Sequence, residues 1–189
     1  MSTCNLLASC YVADCENTSD SIVDAEILFF NREDIDTLTR DTTNPLLIKG
    51  LTLITGAQGV SYTSIKADVH DAGSTPEIDD TGITEYSHFV NTTLFDSKGD
   101  GGSDFRLRLG SANLVAAVRT SKNGVKLYGL DNGLVLSGGT HNYSDAKGRI
   151  PVELTSRDNL KEGFPESQYD GEATTAENWA YLKALTACP

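Results

Sequence analysis

The sequence predicts a β-rich α+β fold, a β-sandwich or strongly bent sheet with a helix at its C-terminal end. Two observations carry that prediction. Between 112 and 154, short apolar segments alternate with tight turns: Leu114-Val115-Ala116-Ala117-Val118 comes before Asn123-Gly124, Val125-Lys126-Leu127-Tyr128 after it, and Asn132-Gly133 leads into Leu134-Val135-Leu136. Asn-Gly pairs tolerate the positive φ that primed hairpin turns require, so the block reads as a β-meander. Further on, Thr174-Thr175-Ala176-Glu177 has the spacing of a helix capping box, and Trp179, Leu182 and Leu185 follow at helical intervals.

The remaining elements follow in chain order. Residues 1–21 are rich in Ser, Thr, Asn, Asp and Cys without periodicity and read as an N-terminal arm. A β-rich domain spans 22–165. Its first strand covers 24–31, with Ile27-Leu28-Phe29-Phe30 at its centre. A turn region with Asp34, Asp36, Asp41, Asn44 and Pro45 comes next, then a strand over 46–55 that Gly56 and Gly59 break. The alternation of 60–69 predicts a strand. Residues 71–82, with Pro76, read as a polar loop, and 83–95 as a long partner strand, which makes a hairpin with a projecting tip. Lys98-Gly99-Asp100-Gly101-Gly102 ends it. After it, Ser103 or Asp104 is placed to cap a short helix through Leu109, although Phe105, Leu107 and Leu109 also alternate as a strand would. A strand over 148–155 completes the domain. The final unit, 166–189, is a polar linker over 166–172 followed by the C-terminal helix.

The segment Lys126-Leu127-Tyr128-Gly129-Leu130-Asp131-Asn132-Gly133-Leu134-Val135-Leu136-Ser137-Gly138-Gly139 resembles a run found in the tail-tube-like virion proteins of Bacteroidetes phages and prophages. Those proteins have a Cys-containing N-terminal arm, a pair of long strands, a short helix, and then a strand leading through an Asn-Gly or Asp-Gly turn into "lysine, aliphatic, aromatic, glycine, small loop, Asp-Asn-Gly-Leu". The order of elements fits from 25 to 157. The resemblance decides for a short helix before Ala112. It implies a virion structural protein of the tail or neck, made in the bacterial host cytoplasm. Its subunits form stacked rings, hexameric in that family, that conduct DNA without binding it and join other tail and neck proteins. The projecting hairpin then contacts a neighbouring ring. The segment after Arg157 has no counterpart in the resemblance, and an adaptor ring at the head–tail junction with the same fold would account for that.

Composition narrows the partners. With 27 acidic against 15 basic side chains the net charge is −12, and such a surface repels nucleic-acid phosphates, which excludes tight DNA binding. An acidic lumen suits passing DNA for the same reason. No apolar run has the length of a membrane span, so no membrane anchor is expected. Leu7-Ala8-Ser9-Cys10 superficially matches a lipoprotein processing box, but no Lys or Arg precedes it and the apolar stretch is short.

No catalytic residue, cofactor or metal is expected. Cys4, Cys10 and Cys15 are separated by five and then four residues, unlike the Cys-x-x-Cys pairs of structural zinc sites. They read as free thiols, with a bridge to Cys188 conceivable under oxidation. Asp96, Asp100 and Asp104 with Gly101 match part of a calcium loop, but Lys98 and Leu107 stand where ligands belong. His70 beside Asp68 and Asp71 forms a local cluster that reads as solvated strand-end residues, and His88 and His141 match no nucleophile or metalloprotease pattern. Candidate interface residues are Cys4, Cys10 and Cys15 in the arm, Pro76 in the loop, and Trp179, Leu182 and Leu185 on the helix. A β-sandwich decoration or receptor-binding module, using Tyr86, Tyr143 or Tyr169, is the alternative of a different class; an enzyme is third.

Overall fold

A computed structural model describes residues 22–64, 70–78, 82–121, 124–139 and 149–186, with 96–106 set aside from the third range. Its strands are β1 (Ile22–Asn31), β2 (Ile35–Arg40), β3 (Leu47–Leu53), β4 (Val60–Thr63), β5 (Asp71–Ile78), β6 (Thr84–Phe95), β7 (Leu114–Thr120), β8 (Val125–Tyr128), β9 (Leu134–Gly138), β10 (Arg149–Ser156) and β11 (Ser167–Tyr169). A 3-10 turn, Arg32–Asp34, links β1 to β2. Residues 107–111 are helical, and a second helix runs over Thr175–Ala184.

Hydrogen bonding joins the 11 strands into one sheet in the order β2-β3-β11-β8-β7-β9-β10-β6-β5, with β1 on the other edge of β7 and β4 beyond β1. The β3–β11 pair is parallel and the rest are antiparallel. The sheet turns a corner where Leu114 at the start of β7 meets Leu134 of β9. From there β9, β10 and β6 fold back over β7 and β1.

That bend explains why Ile27-Leu28-Phe29-Phe30 and Leu114-Val115-Ala116-Ala117-Val118 are unbroken apolar runs. Both strands are buried on two faces, as continuous hydrophobic strands require. On one face, Ile27, Phe29, Ala116 and Val118 pack against Val90, Leu94, Ile150, Val152 and Leu154, with Leu109 of the short helix beside them. On the other face, Leu28, Phe30, Val115 and Ala117 meet Ile48, Leu51, Leu127, Tyr169, Trp179 and Leu182. No helix among the described residues is long and apolar enough to cross a membrane.

The β-rich class and both helices match the sequence reading, whereas the expected meander is only half formed. β7 and β8 make a hairpin, but β9 does not pair with β8 and instead meets β7 at Leu114 and pairs along β10, because the chain turns the corner at 129–133. Gly124 and Gly133 take φ of 79° and 81°, as the turn assignments require. Thr174 caps the C-terminal helix by accepting from Glu177 N, and its hydroxyl donates to Glu177 Oε2 at 2.8 Å.

Four further expectations need correction. The turn region after β1 contains β2, whose Ile35 and Leu38 pack on the second core while Asp36, Thr37 and Thr39 face outward. The turn itself is confined to 41–46, where the Asp41 carboxylate accepts from Thr43 N and Asn44 N. The polar loop 71–82 is largely β5, paired with β6 from Asp71↔Asn91 to Ile78↔Thr84. The linker 166–172 contains β11, inserted between β3 and β8, with Ser167 and Tyr169 buried. The strand expected over 60–69 ends at Thr63 and pairs with β1, not with 83–95 as the expected hairpin required; β6 takes β5 as its hairpin partner instead, and 65–69 lie outside the described residues.

Candidate functional site

Two regions gather the side chains that carry charge or exposure. The first is the bend. Glu162, 1% exposed, accepts from Asp131 N at 2.7 Å through Oε2 and from Asn132 N at 3.0 Å through Oε1. The Asn132 side chain donates back to Lys161 O. Burial pushes the Glu162 carboxyl above the usual carboxylate range, although the amides of Asp131 and Asn132 pull the other way. Arg40 reaches Asp131 Oδ1 at 2.6 Å, donates to Pro45 O and Ser167 Oγ, and lies 4.8 Å over the Phe164 ring. Arg32 Nε donates to Asp131 O. Each of these bonds ends on another part of the same chain, so the cluster clamps the turn between β8 and β9.

His88 belongs to the same clamp. Its Nε2 faces Phe164 O at 3.1 Å and its Nδ1 accepts from Gly129 N at 3.0 Å, which fixes the neutral tautomer with the proton on Nε2. Burial lowers its pKa further. His70 is held in the same way, with Nε2 on Ala25 O and Nδ1 on the Thr92 hydroxyl, and burial lowers its pKa too. The reading of His70 as a solvated strand-end residue is corrected: its ring is buried between β1 and β6 with both nitrogens bonded, while Asp71 is exposed and Asp68 lies outside the described residues. Both imidazoles act as neutral hydrogen-bond bridges.

The second region is the outer edge. Among the described residues β5 pairs only with β6, and β2 only with β3. Pro76 sits exposed in β5 opposite Tyr86. A proline lacks the amide that a central strand would use, and it belongs on such an edge. Ile78 and Ile83, 75% and 61% exposed, flank the hairpin tip. Sequence reasoning passed over both because each is a lone aliphatic in a polar stretch. Near the short helix, Phe29, Val60, Leu109, Ala112 and Leu114 line a cleft of about 160 Å³ with Asn31, Gln58 and Arg108 at its rim.

Among the described residues, the expected interface residues fall in two places, Pro76 on the β5 edge and Trp179, Leu182 and Leu185 on the C-terminal helix and its end. Trp179 and Leu182 are buried against the chain's own sheet, and Leu185 packs on the same cluster while its carbonyl accepts from Gly59 N. Trp179 and Leu182 have the burial of a core and are committed within the subunit, whereas Leu185 is partly buried. Cys4, Cys10, Cys15, Cys188, the loop 96–104, His141 and Tyr143 lie outside the described residues. Of the aromatics assigned to a ligand-binding alternative, Tyr169 is 2% exposed, stacked 5.8 Å from Tyr181, and its hydroxyl pKa is pushed up to about 12, chiefly by burial. Among the described residues no group of three His, Cys, Asp or Glu is placed to hold a metal ion.

No family model, no curated protein and no solved structure matches the chain.

Proposed function

We propose that the chain is a structural subunit of a phage tail tube, joining copies of itself head to tail into rings that stack into a conduit for DNA. The observation that carries this reading is the open sheet. Its end strands β2 and β5 each have a single neighbour among the described residues, and such edges are covered in natural proteins by pairing or by assembly. The long β5–β6 hairpin, the acidic balance and the resemblance of 126–139 to tail-tube-like proteins add support. The ring is hexameric by that resemblance, and obligate interfaces of this kind bury on the order of 2,000 Å² or more. The polar bend is a structural clamp in this reading, and the subunit performs no catalysis.

A ring or adaptor at the head–tail junction is the second reading. It is favoured by the segment after Arg157, which lies beyond the resemblance yet builds β11 and the C-terminal helix into the sheet. Light scattering over a concentration series, with negative-stain images, tests both. Rings with a central hole that stack into tubes are the expected result; single rings that do not stack identify the adaptor. A chain that stays monomeric at every concentration overturns both readings.

A further inference from the structure

We propose that the segment between β10 and β11, residues 157–166, is an acid-releasable strap: a proton on His88 lifts it from the β5–β6 hairpin while the sheet beneath stays folded. The device belongs to the single subunit and operates whether or not copies assemble.

The strap is held by polar bonds rather than by apolar burial. None of its side chains belongs to either apolar core, and Glu162 is its only buried residue. Its grip on the hairpin is a row of hydrogen bonds and one ion pair. Glu162 N donates to Tyr86 O and Tyr86 N to Glu162 O, each at 2.9 Å. Lys161 Nζ lies 3.2 Å from Glu77 Oε1 and 3.4 Å from Ser87 Oγ, and Ser74 Oγ donates to Glu166 Oε2 at 2.7 Å. His88 Nε2 donates to Phe164 O. An element bound in this way opens at lower cost than the strands, because lifting it exposes few apolar contacts.

His88 couples the strap to pH. Its ring stands edge-on to Tyr128 with centroids 5.6 Å apart, and its two nitrogens join different partners: Nδ1 the corner, at Gly129 N, and Nε2 the strap, at Phe164 O. A proton on Nδ1 sets one donor against another. Gly129 is packed too closely on Leu114 and Leu134 to follow, so the imidazolium gains water by the strap's departure. Around the ring stand Glu162, Glu166 and Lys161 of the strap, Asp131 of the β8–β9 turn, and Arg32 and Arg40, both bonded to Asp131. Burial lowers the pKa of His88 against the pull of Phe164 O, Glu166 and Asp131, so the strapped form resists the proton that the open form accepts. Acidification below the ordinary histidine value of about 6.5 therefore favours the open strap. Protonation of Glu162, whose carboxyl is raised by burial, weakens its hold on Asp131 N and Asn132 N as a second, separable step.

Release changes one stretch of β6. β10 pairs with β6 from Phe89 to Phe95, and the strap supplies the partner for Tyr86 on the same side. With the strap lifted, the N–H and C=O of Tyr86 meet solvent, and the hairpin is held by β5–β6 pairing and the β10 ladder. Hydrogen exchange of the full chain, read by mass spectrometry and corrected for intrinsic amide rates, tests this. Between about pH 7.5 and about pH 5.5, protection of peptides covering 157–166 and Tyr86 is expected to fall by up to about tenfold, the ratio for one proton taken up by an open form with an ordinary histidine pKa. Peptides from 27–30 and 114–118 are expected to keep their protection. His88→Gln is expected to abolish the pH dependence, and His70→Gln, which alters an imidazole bound to Ala25 O and Thr92, to retain it. In the wild type, the His88 ring followed by NMR is expected to titrate below the ordinary value, with strap protection levelling off at the pH where it does; this readout serves even where His88→Gln does not fold.

Strap protection that ignores pH in the wild type overturns the device. An equal loss at 114–118 overturns it as well, since the subunit then opens as a whole. A pH dependence that survives in His88→Gln, or a His88 ring that titrates at or above the ordinary value, removes His88 as the trigger. None of these outcomes bears on whether copies form rings, and failure to form rings leaves the strap untouched.

Discussion

The bend at 129–133 and the open end of the β5–β6 hairpin, at Ile78 and Ile83, lie between consecutive strands, yet the described residues are held in opposite ways. At the bend, the Glu162 carboxylate holds the amides of Asp131 and Asn132, His88 accepts from Gly129 N, and Arg40 pairs with Asp131. At the tip, Ile78 and Ile83 are exposed and Glu77 faces Glu85. A collection of Asp, Glu, Arg and His looks like chemistry when read as composition. The bonding shows that its polar groups are spent on fixing where one part of the sheet folds over the other. The flanks of that hairpin end have a different balance: Ile78 and Ile83 expose apolar side chains, and Glu77, facing Glu85, is paired with Lys161 of the same subunit. The difference teaches that a dense polar network marks a fold constraint, whereas a sparse one beside exposed aliphatic side chains leaves a strand end held by backbone pairing.

Substitutions that break the bend should have the largest effects on stability. Gly129 has φ of 72°, and a Cβ there would lie 2.8 Å from Leu114 O and 2.9 Å from Leu134 N, both backbone atoms. Gly129→Val adds a β-branched side chain in a left-handed conformation against atoms that cannot move without the corner. We expect a loss on the order of 3 kcal/mol or more in urea denaturation, combining backbone strain with overpacking. A loss under about 0.5 kcal/mol, the range of ordinary surface substitutions, would mean that the corner adjusts and is no fixed clamp.

Glu162→Gln comes next. Both carboxylate oxygens accept from backbone amides, and a glutamine offers one acceptor oxygen and one amino group in their place. Leaving one amide opposed by a donor should cost about 1–3 kcal/mol. The sign of its pH dependence follows from the raised folded pKa. A carboxyl raised by burial contributes stability that is present below its unfolded pKa and is lost as pH rises through the folded one. The wild-type advantage over Glu162→Gln should therefore shrink from acid toward neutral pH. Denaturation of the two proteins at matched pH values measures it, and an advantage that grows with pH would show that the amide bonds outweigh burial.

A smaller effect of opposite sign should come from the histidines. His70 and His88 have folded pKa values lowered by burial, so their contribution is complete above the ordinary histidine value of about 6.5 and falls as pH drops below it through the folded values. A proton added at His88 Nδ1 also removes the acceptor for Gly129 N. The wild-type melting temperature should decline between pH 7 and pH 5 more steeply than that of a His70→Gln, His88→Gln double variant. Equal slopes would place the acid sensitivity in other groups.

What the sequence revealed divides along the same line as the two regions. Strands with buried faces were legible because burial writes a pattern: Ile27 to Phe30, the 114–118 run, and the hairpin of β7 and β8; that β9 would leave β8 for β10 was not, since pairing across the corner is not local. The capping box at Thr174 announced the last helix in the same way. β5 was read as a loop because an exposed edge strand has no buried face to impose alternation, and its identity comes from backbone pairing with β6. Two buried residues of β11, Ser167 and Tyr169, are too few to show a period. Glu162 and Arg40 meet Asp131 from positions 31 and 91 residues away, a closeness that local spacing does not encode. Trp179 and Leu182 were legible as an apolar helix face. Whether that face met its own sheet or a neighbour depended on β3, β8 and β11 being assembled beneath it.

The smallest expected effect on stability is at the tip, and it sharpens the comparison most. Ile78→Thr keeps the β-branch that suits a strand, removes apolar surface from a side chain already 75% exposed, and leaves the pairing with Thr84 in place. Its change in unfolding free energy, measured on dilute subunits by urea denaturation, should lie within about 0.5 kcal/mol of zero. Measured at a concentration where wild type assembles, the same substitution should lower the apparent melting temperature, because assembly stabilises only the folded state and a weaker contact supplies less of that stabilisation. A loss confined to the concentrated sample assigns Ile78 to a contact between copies. An equal loss in both samples would make it part of the subunit's own packing, and the contrast between the bend and the hairpin end would disappear.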